Sequence, residues 1–286
     1  MQFLHLVGGP GLFVAFEAFG HRATPGLPIA SLSAAKRAMT SFYLGLALII
    51  ALTINARYAV VRALGSLAAA TAMGFLAWSV VLANTDGTFA RVPAGDNTPL
   101  LLNIEAALIG LGAIMLLLSI PRQFRRTDAT LPWRNTLTAY GQITRGLHWG
   151  SATLVIAAFT IGQFVSILAD DAPERAEFLA THMAIGGAIF LLTFARMFER
   201  LVRPSPPTSL PAHGGHFLLY ALLIATSVTG LALATAPVPL LGLSLPNLPA
   251  NPLAEPLHRL VLPLILLLLF AAHLVGAIKA IRRMAR

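Results

Sequence analysis

The chain of 286 residues is 57% hydrophobic and only 11% charged. A soluble domain carries about a quarter charged residues, so a water-soluble globule is excluded. The absence of cysteine rules out disulfides, thiolate metal sites, iron–sulfur clusters and c-type haem attachment. The net charge of +9 does not indicate a nucleic-acid partner, because the basic residues flank apolar runs, as membrane topology requires.

The first 20 residues are apolar but lack the basic start of a signal peptide. Gly8-Gly9-Pro10-Gly11 also interrupts the run, so they are expected to remain in the mature protein. Phe3 to Phe19 is marginal in length as a span and contains Glu17, which leaves a re-entrant or surface helix as the alternative. Runs of about 20 apolar residues, enough to cross a bilayer, follow near 40–56, 62–83, 100–120, 147–168, 179–198, 214–236 and 257–278. The fold class expected is all-α, a polytopic membrane helical bundle of seven or eight spans.

A polar, basic connection between about 121 and 140 holds Pro121, Arg122, Arg125, Arg126, Asp128, Pro132 and Arg134. It is the best candidate boundary. It divides an N-terminal membrane extension (1–125, three or four helices) from a four-helix unit (137–286). The extension has only His5 and His21; the other six of the eight histidines lie beyond it.

Charge asymmetry orients the last four spans. Arg122, Arg125, Arg126, Arg134 and Arg145 precede the first of them. Arg196, Arg200 and Arg203 follow the second, and Lys279, Arg282, Arg283 and Arg286 follow the last. Only Arg175 and Arg259 flank the opposite ends. The basic side is expected to be cytoplasmic, with the C-terminus inside a bacterial inner membrane. The same rule puts the Arg57–Arg62 turn inside and the 84–99 loop outside.

An ionisable side chain inside a bilayer is a functional hypothesis by default. By this topology His148 lies near the cytoplasmic face, and His182 and His258 near the outer face. His273 is fifteen residues beyond His258, about 22 Å deeper at 1.5 Å per residue. On a regular helix these two are only about 60° apart. Depth therefore pairs His182 with His258 outside and His148 with His273 inside. Such pairs suit two haem irons stacked across the membrane. They do not suit zinc, which takes about four ligands in one cluster. Gly146, Gly150, Gly186, Gly187, Ala271, Ala272 and Gly276 offer room near the ligands, although small residues also let helices pack closely. A single histidine near a helix end is ordinarily an interfacial or satisfied polar residue; four matched in depth and phase argue against that for the set.

The segments Gly146-Leu147-His148-Trp149, Thr181-His182-Met183-Ala184-Ile185-Gly186 and Ala212-His213-Gly214-Gly215-His216-Phe217-Leu218-Leu219-Tyr220, with the two histidines of the last span, resemble the bacterial cytochrome b561 family over residues 137–286. The resemblance implies a four-helix unit with two haem b groups, ligated by His148 with His273 and by His182 with His258. It also implies electron exchange with membrane quinone. Some members of that family oxidise superoxide at the outer face and reduce ubiquinone, so superoxide oxidation is one alternative. An accessory subunit of a larger respiratory or photosynthetic complex, docked through the N-terminal helices, is another. The partners expected are membrane lipid, quinone and a periplasmic redox protein or larger complex.

Secondary candidates are few. His213 and His216, three apart and so expected on one helix face, suit contacts to inner haem propionates or quinone, or simple interfacial roles. Arg145 and Arg259 suit haem propionates on their respective sides, or, for Arg145, a plain positive-inside anchor. Trp78, Trp133 and Trp149 read as interfacial anchors. Glu105 reads as a proton or partner contact, or as a hydrogen-bonded interhelical contact. The nearly uncharged loop from about Ala236 to Pro256 reads as a cover for the outer haem, a partner site or a lid on the lipid surface.

Overall fold

The computed structural model describes residues 29–56, 58–85, 92, 96–124, 132–168, 172–203, 206, 209–240 and 243–284. The readings of Phe3–Phe19, Glu17, His5 and His21 lie outside the described residues, as do those of Arg57, Arg125, Arg126 and Arg286.

The protein is an all-α membrane bundle. Its helices are α1 (Ile29–Thr53), α2 (Ala59–Thr85), α3 (Thr98–Phe124), α4 (Gln142–Ile167), α5 (Pro173–Val202) and α6 (Leu210–Leu233). A short hairpin of β1 (Val238–Leu240) and β2 (Leu243–Leu245) follows. The last rod joins α7 (Ala254–Pro256), a π-helical turn (Leu257–Val261) and α8 (Leu262–Met284). Among the described residues six helices are long and apolar enough to cross a membrane. Helix α1 runs 25 residues, and its Thr40–Thr53 stretch is apolar, at the place where the first span is expected; Lys36 and Arg37 precede that stretch.

These helices carry apolar residues on every side, as lipid demands. Leu118, Phe217 and Leu268 are exposed in α3, α6 and α8. Hydroxyl residues turn back onto their own helix: Ser151, Thr153, Thr193 and Thr226 each donate to the carbonyl four residues before. This satisfies polar groups that have no water to meet.

Packing crosses the basic connection. Tyr43 and Ala47 of α1 share one core with Leu154, Ala157 and Ile161 of α4, Phe178, Ile185 and Ile189 of α5, and Leu223 of α6. A second core joins Ile50 of α1 to Ala69 and Ala70 of α2 and Ala113 and Leu116 of α3. A third joins Val80, Ala83 and Leu102 to Phe164 of α4. Trp149 packs against the second core and meets His148 edge-on at 5.5 Å between ring centroids, so it is an internal packing residue rather than an interfacial anchor. Trp78 and Trp133 are exposed.

Two buried polar groups tie the N-terminal helices together and to α4. Glu105 of α3 is 2% exposed and accepts a 2.8 Å bond from the Thr160 hydroxyl of α4, which is the interhelical reading of that residue. Arg62 of α2 is buried and donates to the carbonyls of Ala56 (3.0 Å) and Gln123 (2.9 Å), near the ends of α1 and α3. A cation suits the negative ends of helix dipoles. Replacing Arg62 with leucine leaves both carbonyls without that donor. The expected cost is about 2 kcal/mol, read as a lower thermal midpoint in detergent.

The β-hairpin was not anticipated. Val238 pairs with Leu245 and Leu240 with Leu243. Val238 is 3% exposed, and Leu245 packs against the first core. The loop thus folds back on the bundle at the end where α5 begins.

Candidate functional site

The last rod carries His258 and His273. His258 lies in the π turn, where the Leu262 N–H donates to the Leu257 carbonyl five residues back. The expectation of a regular helix between the two histidines is corrected here. One extra residue in a turn moves the offset from about 60° to about 40° on the other side. Both imidazoles still face the same flank, and π turns of this kind are frequent at functional sites.

The rings meet in two groups at opposite ends of the bundle. At one end, His182 of α5 and His258 have ring centroids 5.8 Å apart, with planes at 85°. At the other, His148 of α4 and His273 of α8 have centroids 5.9 Å apart, with planes at 48°. His216 of α6 joins the second group, 6.2 Å from His273. Two imidazoles on opposite sides of one iron, at bonds of about 2 Å, place ring centres about 6 Å apart. Both pairs fit that spacing.

Second-sphere contacts strengthen the fit at the His182 end. The Nδ1 of His182 bonds the Ala158 carbonyl at 2.8 Å. The Nδ1 of His258 bonds the Thr226 carbonyl at 2.9 Å and meets the Thr229 hydroxyl at 3.1 Å. A carbonyl only accepts, so both rings carry their proton on Nδ1 and leave Nε2 as a lone pair, the tautomer a metal needs.

A repeated local device makes these bonds possible. A carbonyl within a helix is normally shielded by the side chain four residues on. Here the residue four beyond Ala158 is Gly162, and the residue four beyond Thr226 is Gly230. A Cβ on Gly162 would stand 2.7 Å from His182 Cε1, and one on Gly230 would stand 2.9 Å from His258 Cε1. The rings occupy the space the missing side chains leave. Helix α6 carries neither histidine of this pair, yet it orients His258 in this way. The sequence reading missed Gly162, Gly230, Thr226 and Thr229. The only signal available was glycine inside an apolar span.

The glycines that were singled out divide. A Cβ on Gly186 or Gly276 meets nothing within 4 Å; Gly186 is half-buried one turn from His182, where the space suits a bulky ring system, whereas Gly276 is exposed. Gly146 and Gly150 instead face α1: added Cβ atoms would lie 3.6 Å from the Ala51 carbonyl oxygen and 3.7 Å from the Ala51 Cβ. Their expected role in making room for haem is corrected to close helix packing.

The His148 end differs in charge. Arg196 of α5 reaches inward: its Nη2 is 3.3 Å from His148 Nδ1, and its guanidinium lies 5.2 Å from the centre of the Tyr220 ring. Arginine only donates, so His148 accepts at Nδ1 and carries its proton on Nε2, the opposite tautomer to that of the outer rings; a metal at this Nε2 would require the proton to move to Nδ1 and Arg196 to give up that bond. Arg196 was read from sequence only as part of the basic flank. Arg145 is half-buried one turn before His148.

His213 and His216 do not share surroundings. His213 is exposed, whereas His216 is half-buried against His273. Arg259 pairs with Glu255 one turn earlier at 2.8 Å, with both side chains exposed. Arg175 donates to the Val165 and Leu168 carbonyls at the end of α4. Among the described residues no three His, Asp or Glu side chains form a metal-binding cluster.

Residues 139–285 match the family described as prokaryotic cytochrome b561. Cytochrome b561 homolog 2 of Escherichia coli (strain K12) is 31% identical over 120 residues, which cover 37% of this chain and 61% of that protein. The chain thus spans about three fifths of that relative's length. No solved structure matches the chain. The family match takes in α4 to α8 and leaves α1 to α3 outside.

Proposed function

Because the chain belongs to the prokaryotic cytochrome b561 family of membrane electron-transfer proteins that bind haem b, we propose that it is an inner-membrane di-haem cytochrome. It exchanges electrons between membrane quinone and a redox partner or small oxidant at the outer face. Residues 137–286 would form the di-haem unit and residues 1–125 an extension, of which α1 to α3 pack against it. The basic flanks support an orientation with the His148 end inside, the His182 end outside and the C-terminus cytoplasmic.

The observation that carries the reading is the pair of imidazole pairs, 5.8 and 5.9 Å between ring centroids, at opposite ends of one bundle. His182 and His258 would hold the outer iron, and His148 and His273 the inner one. Haem supplies reversible one-electron chemistry. The chain would supply the ligating nitrogens, holds the outer rings in one tautomer through Ala158 and Thr226, and would shield the group from bulk water with apolar helices. His216 and Arg145 suit propionate or quinone contacts at the inner end. His213 is placed to act only from the surface.

Superoxide oxidation with ubiquinone reduction is the narrower reading. An anion is drawn to uncommitted positive charge. At the outer end Arg259 is paired with Glu255, and Arg175 caps α4. This favours a partner over steered capture of a small anion. Supplying a superoxide source and a ubiquinone analogue to the purified protein decides between them.

The main test is a reduced-minus-oxidised absorption spectrum with haem quantification. The expected result is a b-type spectrum and two protohaems per chain. A colourless polypeptide would refute the proposal.

A further inference from the structure

We infer that Arg196 makes the inner haem the more easily reduced of the two, through its fixed positive charge. This rests on the di-haem reading above, and it assigns Arg196 an electrostatic role distinct from ligation.

The two imidazole pairs differ in what surrounds them. At the outer pair, His182 and His258 meet only neutral oxygens: the carbonyls of Ala158 and Thr226 and the hydroxyl of Thr229. A ligand that donates Nδ1–H to a carbonyl becomes more electron-rich, which favours the oxidised iron. At the inner pair, a guanidinium reaches His148 at 3.3 Å. Its other face lies on Tyr220, so the charge stays in place whichever nitrogen of His148 carries the proton. Arginine remains charged under all relevant conditions. Among the described residues the nearest acidic group on the same helix, Glu199, is engaged with Arg203 at 3.9 Å. No ion pair among the described residues includes Arg196.

Reduction adds one electron to an iron centre. A cation nearby stabilises that added charge, and within a bilayer the effect is weakly screened. At the outer pair the neighbouring cation, Arg259, is exposed and paired with Glu255 at 2.8 Å, which offsets its charge. With haem held at both pairs, a single electron would rest preferentially at the inner one, and its transfer there from the outer one would make or break no bond.

The test is a spectroelectrochemical titration of the haem-loaded full chain. His182→Ala and His273→Ala variants identify which wave belongs to which haem. In the unmodified protein the inner haem should have the higher midpoint. Arg196→Gln should lower that midpoint by at least about tenfold in equilibrium constant, about 59 mV for one electron, and leave the outer wave in place. Arg196→Lys, which keeps the charge, should retain most of it. A higher midpoint at the outer haem in the unmodified protein would overturn the inference, and this comparison needs no Arg196 variant to fold. An unmoved inner wave in Arg196→Gln, with both haems retained, would overturn it as well. A chain without haem would refute the di-haem reading instead.

Discussion

His273→Ala is expected to halve the haem content, removing the inner haem and sparing the outer one. His273 is the common member of the inner group: His148 lies 5.9 Å from it and His216 6.2 Å. Either of those rings has the spacing to oppose it across an iron, but neither is placed to substitute for it. The outer pair does not depend on it. His258 is fifteen residues away on the same rod, about 20 Å along the axis, and its ring is fixed by Thr226 and Thr229. Haem quantification, with the α-band of the reduced form, reads the outcome. Retention of both haems would refute the assignment of His273, and loss of both would refute the independence of the two ends.

Gly162→Val should have the opposite selectivity, removing the outer haem and sparing the inner one. Its Cβ alone would stand 2.7 Å from His182 Cε1 and 2.9 Å from Nδ1. The ring has to move, and moving breaks its 2.8 Å bond to Ala158. That bond by itself is worth only about 1 kcal/mol, too little to lose a cofactor. The larger effect is displacement: Nε2 is carried off the line to His258, and a ligand misplaced by about 1 Å no longer serves its metal. Gly45→Ala on α1, where a Cβ meets nothing within 4 Å, is the matched control and should leave haem content unchanged. Full occupancy of the outer site in Gly162→Val would show that the glycine is not needed there.

The N-terminal helices fit an accommodating role around the family unit. Helix α1 lies along α4 through Gly146, Gly150 and Ala51. It reaches α5 through Thr40, whose hydroxyl is 3.3 Å from that of Thr181, the residue before His182. Asn55 donates to the Gln142 carbonyl at 3.0 Å, fixing the start of α4. The N-terminal helices therefore buttress α4 and α5, which carry His148 and His182.

The sequence by itself determined the class and which histidines pair by depth. Spans of apolar residues leave the backbone no solvent to bond, so helices follow, and alternating helices with basic flanks set which histidines share a level. Only the tertiary structure decided what surrounds those histidines. Whether a glycine makes room for a ring, as at Gly162, or for a neighbouring helix, as at Gly150, depends on which face is turned inward, and uniformly apolar spans carry no such signal. The same holds for Arg196, indistinguishable in sequence from its basic neighbours Arg200 and Arg203 until the rotation of α5 sets its guanidinium between His148 and Tyr220. The π turn at His258 and the separation of His213 from His216 were hidden for a related reason: helical pitch and rotation are set by contacts between segments far apart in the chain.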